Sequence, residues 1–159
     1  MNKHWHLGAS VTIALCAGGI AAAQAPAPVP AAAPEPGPAI ARAFDDPALA
    51  WGACPEFMPK GCAIAVLHGD PARPNADLFF KVPGGAAIAR HWHTSAERMV
   101  LVSGELQVTY DGQAPVTLRP GMYAYGPARS PHRATCAPGD ACVLFIAFEA
   151  PVDAIAVDE

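Results

Sequence analysis

The stretch from Gly85 to Gly104, GAAIARHWHTSAERMVLVSG, sets His91 and His93 two residues apart and places Glu97 four residues after the second histidine. On a β-strand, side chains two apart share a face, so both imidazoles project together while Arg90 and Trp92 point the other way. Two imidazoles joined by a carboxylate from the next strand form a donor set suited to one divalent transition metal: iron, manganese, zinc, nickel or copper. A third nitrogen ligand must then come from elsewhere in the chain.

The elements that must position these groups are short strands. From Cys62 onward the segments CAIAVLHGD, DLFFKVP, AAIARHWH, RMVLV, ELQVTY, PVTL, MYAYG, HRATC and ACVLFIAFE are separated by breakers such as Pro83 to Gly85, Ser103-Gly104, Asp111-Gly112 and Pro120-Gly121. Leu106, Val108 and Tyr110 alternate with Glu105, Gln107 and Thr109, the pattern of a half-buried strand, and Asp111-Gly112 then signals a hairpin. No long helical period competes. These features predict an all-β sandwich or barrel of eight or nine strands, with irregular structure and one short helix near Pro47 to Trp51 ahead of it. Regular alternation puts Ala87 and Ala89 on the face of His91 and His93, and Met99 and Leu101 on the face of Glu97.

Further along, Gly121 leads through Tyr123, Tyr125 and Pro127 to His132. Together the two stretches resemble the cupin superfamily. Its first motif, G(X)5HXH(X)3–4E(X)6G, is met by Gly85, His91, His93, Glu97 and Gly104. Its second, G(X)5PXG(X)2H(X)3N, is met at Gly121, Pro127 and His132, with Arg129 in place of its glycine and Cys136 in place of its asparagine. The resemblance covers roughly residues 62 to 149 and implies an antiparallel jelly-roll β-barrel in which His91, His93, Glu97 and His132 hold one divalent metal. It also implies a homodimer. It leaves the reaction open, because cupins include dioxygenases, decarboxylases, isomerases, sugar-binding proteins and storage proteins. Tyr123 and Tyr125 share a face, so one of them is a candidate catalytic hydrogen-bond donor or proton shuttle near the open metal positions, with barrel packing as the alternative. Arg129 is read as a solvated loop residue that could instead attract an anion, and His68 as structural.

The flanks carry their own signals. Lys3 followed by an apolar run from Leu7 to Ala23, with Ala21 and Ala23 fitting an A-x-A rule, reads as a cleaved signal peptide over residues 1–23. Residues 24–43 are dominated by Ala and Pro and read as a tether, leaving residues 44–159 as a single domain. A signal peptide implies a periplasmic or secreted protein with no stable membrane insertion after cleavage. It removes Cys16 from the five cysteines, and the remaining even set is expected to pair locally as Cys54–Cys62 and Cys136–Cys142, the latter across a hairpin tip. The net charge of −4, without a basic cluster, argues against nucleic-acid binding. The expected function is therefore that of an exported metal-dependent cupin acting on a small molecule. Dioxygenase-like oxidation stands ahead of isomerisation or decarboxylation, and the alternative is a non-catalytic module that captures a small ligand.

Overall fold

The computed structural model describes residues 37–158; the expected signal peptide and most of the expected tether lie outside that range. Residues 37–43 are exposed and carry no regular structure. The described residues contain eleven strands and no helix: β1 (Trp51–Ala53), β2 (Ala63–His68), β3 (Ala76–Val82), β4 (Ala87–Trp92), β5 (Glu97–Ser103), β6 (Leu106–Tyr110), β7 (Val116–Leu118), β8 (Tyr123–Gly126), β9 (His132–Cys136), β10 (Cys142–Phe148) and β11 (Ile155–Ala156). All nine segments expected from the sequence are strands. The other two, β1 and β11, are too short for alternation to reveal and exist through pairing with β2 and β4.

The expected helix near Pro47 to Trp51 is absent. Asp46 instead closes a local turn, its Oδ1 accepting from the Ala48 N–H at 2.8 Å, and residues from Trp51 onward are drawn into the sheet by β2. An aspartate that bonds its own neighbours favours a turn over helix propagation.

The strands form two antiparallel sheets, one ordered β1-β2-β3-β10-β5-β8 and the other β11-β4-β9-β6-β7. Their inner faces bury Leu78, Val82, Leu101, Leu106, Leu144 and Ile146 in a common core. Each such side chain contributes about 1.5–3 kcal/mol by leaving water. From β3 onward the chain changes sheet at every step except β6 to β7, including where β4 hands over to β5, where β5 hands over to β6, and where β9 hands over to β10.

Both expected disulfides are present, with Cα–Cα distances of 5.7 Å for Cys54–Cys62 and 5.8 Å for Cys136–Cys142. The hairpin expected at the second pair is not. β9 and β10 belong to different sheets, β10 pairing instead with β3 and β5, so the Cys136–Cys142 bond staples one sheet to the other at a crossover. Loops this short contribute about 2–3 kcal/mol in the chain-entropy picture.

Gly104, which closes the first motif, shows why a glycine stands there. Its φ is +78°, and a Cβ would come within 2.8 Å of the Ala141 carbonyl oxygen and 2.9 Å of the Cys142 Cα, so two crossovers touch at this point. Gly104→Ala meets immovable backbone in a left-handed conformation and is expected to destabilise the domain by more than about 2 kcal/mol, read as a shift in the urea midpoint.

Candidate metal centre

The crossover from β4 to β5 puts its polar residues at one end of the barrel. His91 on β4, His132 on β9 and Tyr110 on β6 form a row across three neighbouring strands, because His91 opposes His132 and His132 opposes Tyr110. His93 follows β4 directly, and Glu97 opens β5 in the other sheet. The corner is pinned by the buried Ser95, whose Oγ donates to the Ala96 carbonyl and accepts from the Glu149 and Ala150 N–H groups, each at 2.9 Å.

Regular alternation does not survive in β4. Ile88 opposes Ala134 and His91 opposes His132, so three steps on β4 match two on β9, which is a β-bulge. Ile88 and His91 therefore both point inward, while Ala87 and Ala89 are exposed, contrary to the expectation that these alanines line the site. Met99 and Leu101 are buried on the face of Glu97, as the alternation predicts.

The three imidazoles are buried with ring centroids 4.3 Å (His91 to His132), 4.9 Å (His91 to His93) and 5.4 Å (His93 to His132) apart. One ring nitrogen from each lies within 4.8 Å of the others. Each Nδ1 faces a backbone carbonyl: Ala89 at 2.8 Å for His91, Ser130 at 3.1 Å for His132, and Asp153 for His93. A carbonyl can only accept, so each Nδ1 carries the proton and each Nε2 presents a lone pair. Glu97 lies with Oε1 3.4 Å from His93 Nε2 and Oε2 4.0 Å from His132 Nε2. Lone pairs thus face a carboxylate, an arrangement that calls for positive charge between them.

The protein supplies little of that charge. Burial holds His91 down to about 3 and His132 down to about 4, lowers His93, and pushes Glu97 up to about 8, with the Asp153 charge adding to the last shift. All four groups therefore resist ionisation unless a cation enters. The donor set fits a divalent ion: three neutral imidazole nitrogens oriented by backbone acceptors, and one buried carboxylate without a lysine or arginine partner.

The C-terminal segment completes the site, and it carries no motif in the sequence. Asp153 receives the His93 Nδ1–H on its backbone carbonyl, and its own carboxylate accepts from the Thr94 N–H at 2.9 Å and from the Thr94 hydroxyl at 2.5 Å. β11 then pairs with His91 and Trp92. Asp153→Ala removes the clamp that holds this carbonyl in place, and is expected to weaken metal binding by about 10- to 100-fold with the β-fold retained, as read by competition with a chromophoric chelator and by circular dichroism.

Tyr123 and Tyr125 are not brought to the site. They are 61% and 52% exposed, because β8 turns Ala124 and Gly126 inward instead. The tyrosine at the centre is Tyr110. Its ring lies 4.7 Å from that of His132, and its buried hydroxyl has no hydrogen-bond partner. A Cβ at Gly126 would overlap this hydroxyl and come within 3.1 Å of Glu97 Oε2, so the missing side chain at Gly126 leaves the phenol and the carboxylate side by side. Burial and the Glu97 charge raise the Tyr110 pKa, keeping it a protonated donor beside an acceptor. The signal for Tyr110 was its alternation with Leu106 and Val108. Arg129 is exposed and has φ +58°, a left-handed conformation that accounts for the glycine usual at that motif position; its N–H donates to the His93 carbonyl at 2.7 Å. His68 is exposed on β2.

The polar cluster lines a cavity of about 230 Å³ within the barrel. Its walls are apolar, including Phe80, Ile88, Met99, Leu144, Ile146 and Phe148, and its polar lining is His91, His93, His132, Glu97, Tyr110 and Asp153.

Residues 78–148 match the family described as the Cupin domain. Among solved structures, one described as that of the DMSP lyases RdDddP and RnDddQII superposes with a TM-score of 0.61 at 17% identity, over 69% of this chain and 63% of that one. The polyketide cyclase RemF from Streptomyces resistomycificus gives 0.61 at 18% identity over 76% and 87%, and a cupin-2 domain from Rhodospirillum rubrum gives 0.59 at 18% over 76% and 82%. The chain thus spans just under two thirds of the length of the lyase structure. No curated protein matches it in sequence. The sequence match and the shared jelly-roll architecture agree, and residues 78–148 of this chain form a cupin domain.

Proposed function

We propose that this protein is an exported mononuclear-metal cupin enzyme that acts on a small molecule, with His91, His93, Glu97 and His132 as the ligands of one divalent ion. The observation that carries the reading is the convergence of three Nε2 lone pairs and a buried carboxylate at the floor of an apolar cavity. The bound metal would supply Lewis-acid polarisation of a ligand oxygen and, where redox-active, electron exchange. The chain supplies the rest. The carbonyls of Ala89, Ser130 and Asp153 orient the imidazoles, Tyr110 stands ready to donate a hydrogen bond to Glu97, and the apolar walls exclude water. Oxygen-dependent oxidation remains the favoured reaction class. Two disulfides suit an oxidising compartment, which supports reading residues 1–23 as a signal and 24–43 as a tether.

A second reading, metal-dependent capture without turnover, is favoured by one observation: apart from the four ligands, only Tyr110 and Asp153 among the lining residues can exchange a proton. Loading the protein with Fe(II), Mn(II), Ni(II) or Cu(II) and screening phenolics, thiols, diketones and organic acids for oxygen uptake or product separates the two. Turnover with one metal supports the enzyme. Tight reversible binding with no turnover under any metal leaves the capture module.

A further inference from the structure

Resting on the metal site proposed above, we infer the class of molecule it takes: a compact, single-ring-sized compound with an apolar body, one or two oxygen donors at one end, and no more than one negative charge. Three features of the cavity lead to this.

Size comes first. A cavity of roughly 150 Å³ accommodates benzene, so about 230 Å³ accommodates approximately nine non-hydrogen atoms: one ring with short substituents. Two- and three-ring compounds exceed what the cavity can surround, and a hydrated sugar would leave its hydroxyls against hydrocarbon. The second feature is the lining. Away from the ligand cluster the described residues offer Phe80, Leu144, Ile146 and Phe148 but no hydroxyl or amide side chain able to satisfy a polar body, and a buried polar group without a partner is strongly disfavoured in such surroundings.

Charge is the third feature. Among the described residues no lysine or arginine lines the cavity, whereas Glu97 and Asp153 do. A divalent ion with the Glu97 carboxylate leaves one net positive charge. A monoanion that chelates through two oxygens is matched by this balance, while a dianion enters a low-dielectric space with one charge uncompensated. The exposed guanidinium of Arg129 lies outside the cavity lining and does not alter the sum. The selecting residues also come partly from outside the segment that matches the family, since Pro55 and Met58 from the loop closed by Cys54–Cys62, and Val152 to Ala154 from the C-terminal segment, form part of the wall. Size selection is therefore set by parts of the chain that the shared motifs do not specify.

The test is isothermal calorimetry on full-length zinc-loaded protein, zinc being redox-inert, with three probes: tropolone, a one-ring monoanionic chelator; oxalate, a small dianionic chelator; and quercetin, a three-ring chelator. Zinc content is measured first by elemental analysis. The expected result is tropolone binding at least tenfold tighter than oxalate, with no saturable heat from quercetin. Phe80→Ala should weaken tropolone by more than fivefold and leave oxalate unchanged. Oxalate binding as tightly as tropolone, or quercetin binding at all, with zinc retained, overturns the substrate class while leaving the metal site standing. A protein that retains no zinc overturns the metal site and this inference with it.

Discussion

Alanine in place of His91, His93 or His132 is expected to lower metal affinity by more than about 100-fold in each case, leaving purified protein with a small fraction of the wild-type metal content. The size of the effect follows from burial. Each imidazole is held by a backbone carbonyl in the one tautomer that offers Nε2 to the centre, and no neighbouring side chain can replace it. His91 and His132 are also directly opposed across β4 and β9, so removing either leaves the other ring beside a void rather than beside water. Glu97→Gln is a different perturbation. It keeps the volume and removes the charge that balances the cation, so it should weaken binding while raising the stability of the metal-free protein at alkaline pH. Inductively coupled plasma analysis after identical loading and desalting measures all four variants. Full metal content in the three alanine variants would contradict the ligand assignment.

The second large effect is the pH dependence of the metal-free protein. His91 and His132 titrate near 3 and 4 in the folded state instead of near 6.5, so unfolding allows them to take up protons. Their contribution to stability is complete above pH 6.5 and is lost progressively as pH falls toward 3, with the lowered His93 adding in the same direction. Glu97 has the opposite sign. Its folded value is raised from 4.5 to about 8, so its contribution is complete below pH 4.5 and is lost as pH rises through 8. The two trends cross near neutrality. Metal-free protein should show maximal stability there and lose roughly 1 kcal/mol between pH 7 and 9, with a steeper loss on the acid side. A bound divalent ion keeps Glu97 ionised, so the alkaline loss should vanish in loaded protein. Urea titrations of chelator-treated and metal-loaded samples across this range provide the comparison, and identical alkaline limbs would contradict the account.

How much of this was legible in the sequence depends on whether the responsible interaction was local. The nine core strands showed themselves because their alternation and breakers lie within a few residues of one another. The clustering of His91, His93 and Glu97 did so because HXH on a strand and a carboxylate on the next strand are fixed by short spacing, whereas His132 came only through the resemblance to the second motif. The β-bulge in β4 was not legible, since nothing in AAIARHWH marks the extra residue that turns Ile88 inward and Ala87 and Ala89 outward. The orientation of β8 was likewise invisible: Tyr123 and Tyr125 were seen to share a face, but which face depends on pairing with β5, twenty-odd residues earlier. Tyr110 could have been found, because it alternates with Leu106, whose burial was the stronger expectation. The contribution of Asp153 could not have been, because it enters through a backbone carbonyl sixty residues from the histidine it holds, a contact that has no side-chain signature.

The central claim is that His91, His93, Glu97 and His132 hold one transition metal, and metal stoichiometry in the protein purified from its native compartment without chelators tests it most directly. Close to one transition-metal ion per chain is expected, lost as the pH is lowered toward 3 and the freed imidazoles protonate. Protein that emerges without metal and takes up none of Fe(II), Mn(II), Ni(II), Cu(II) or Zn(II) at neutral pH would contradict it.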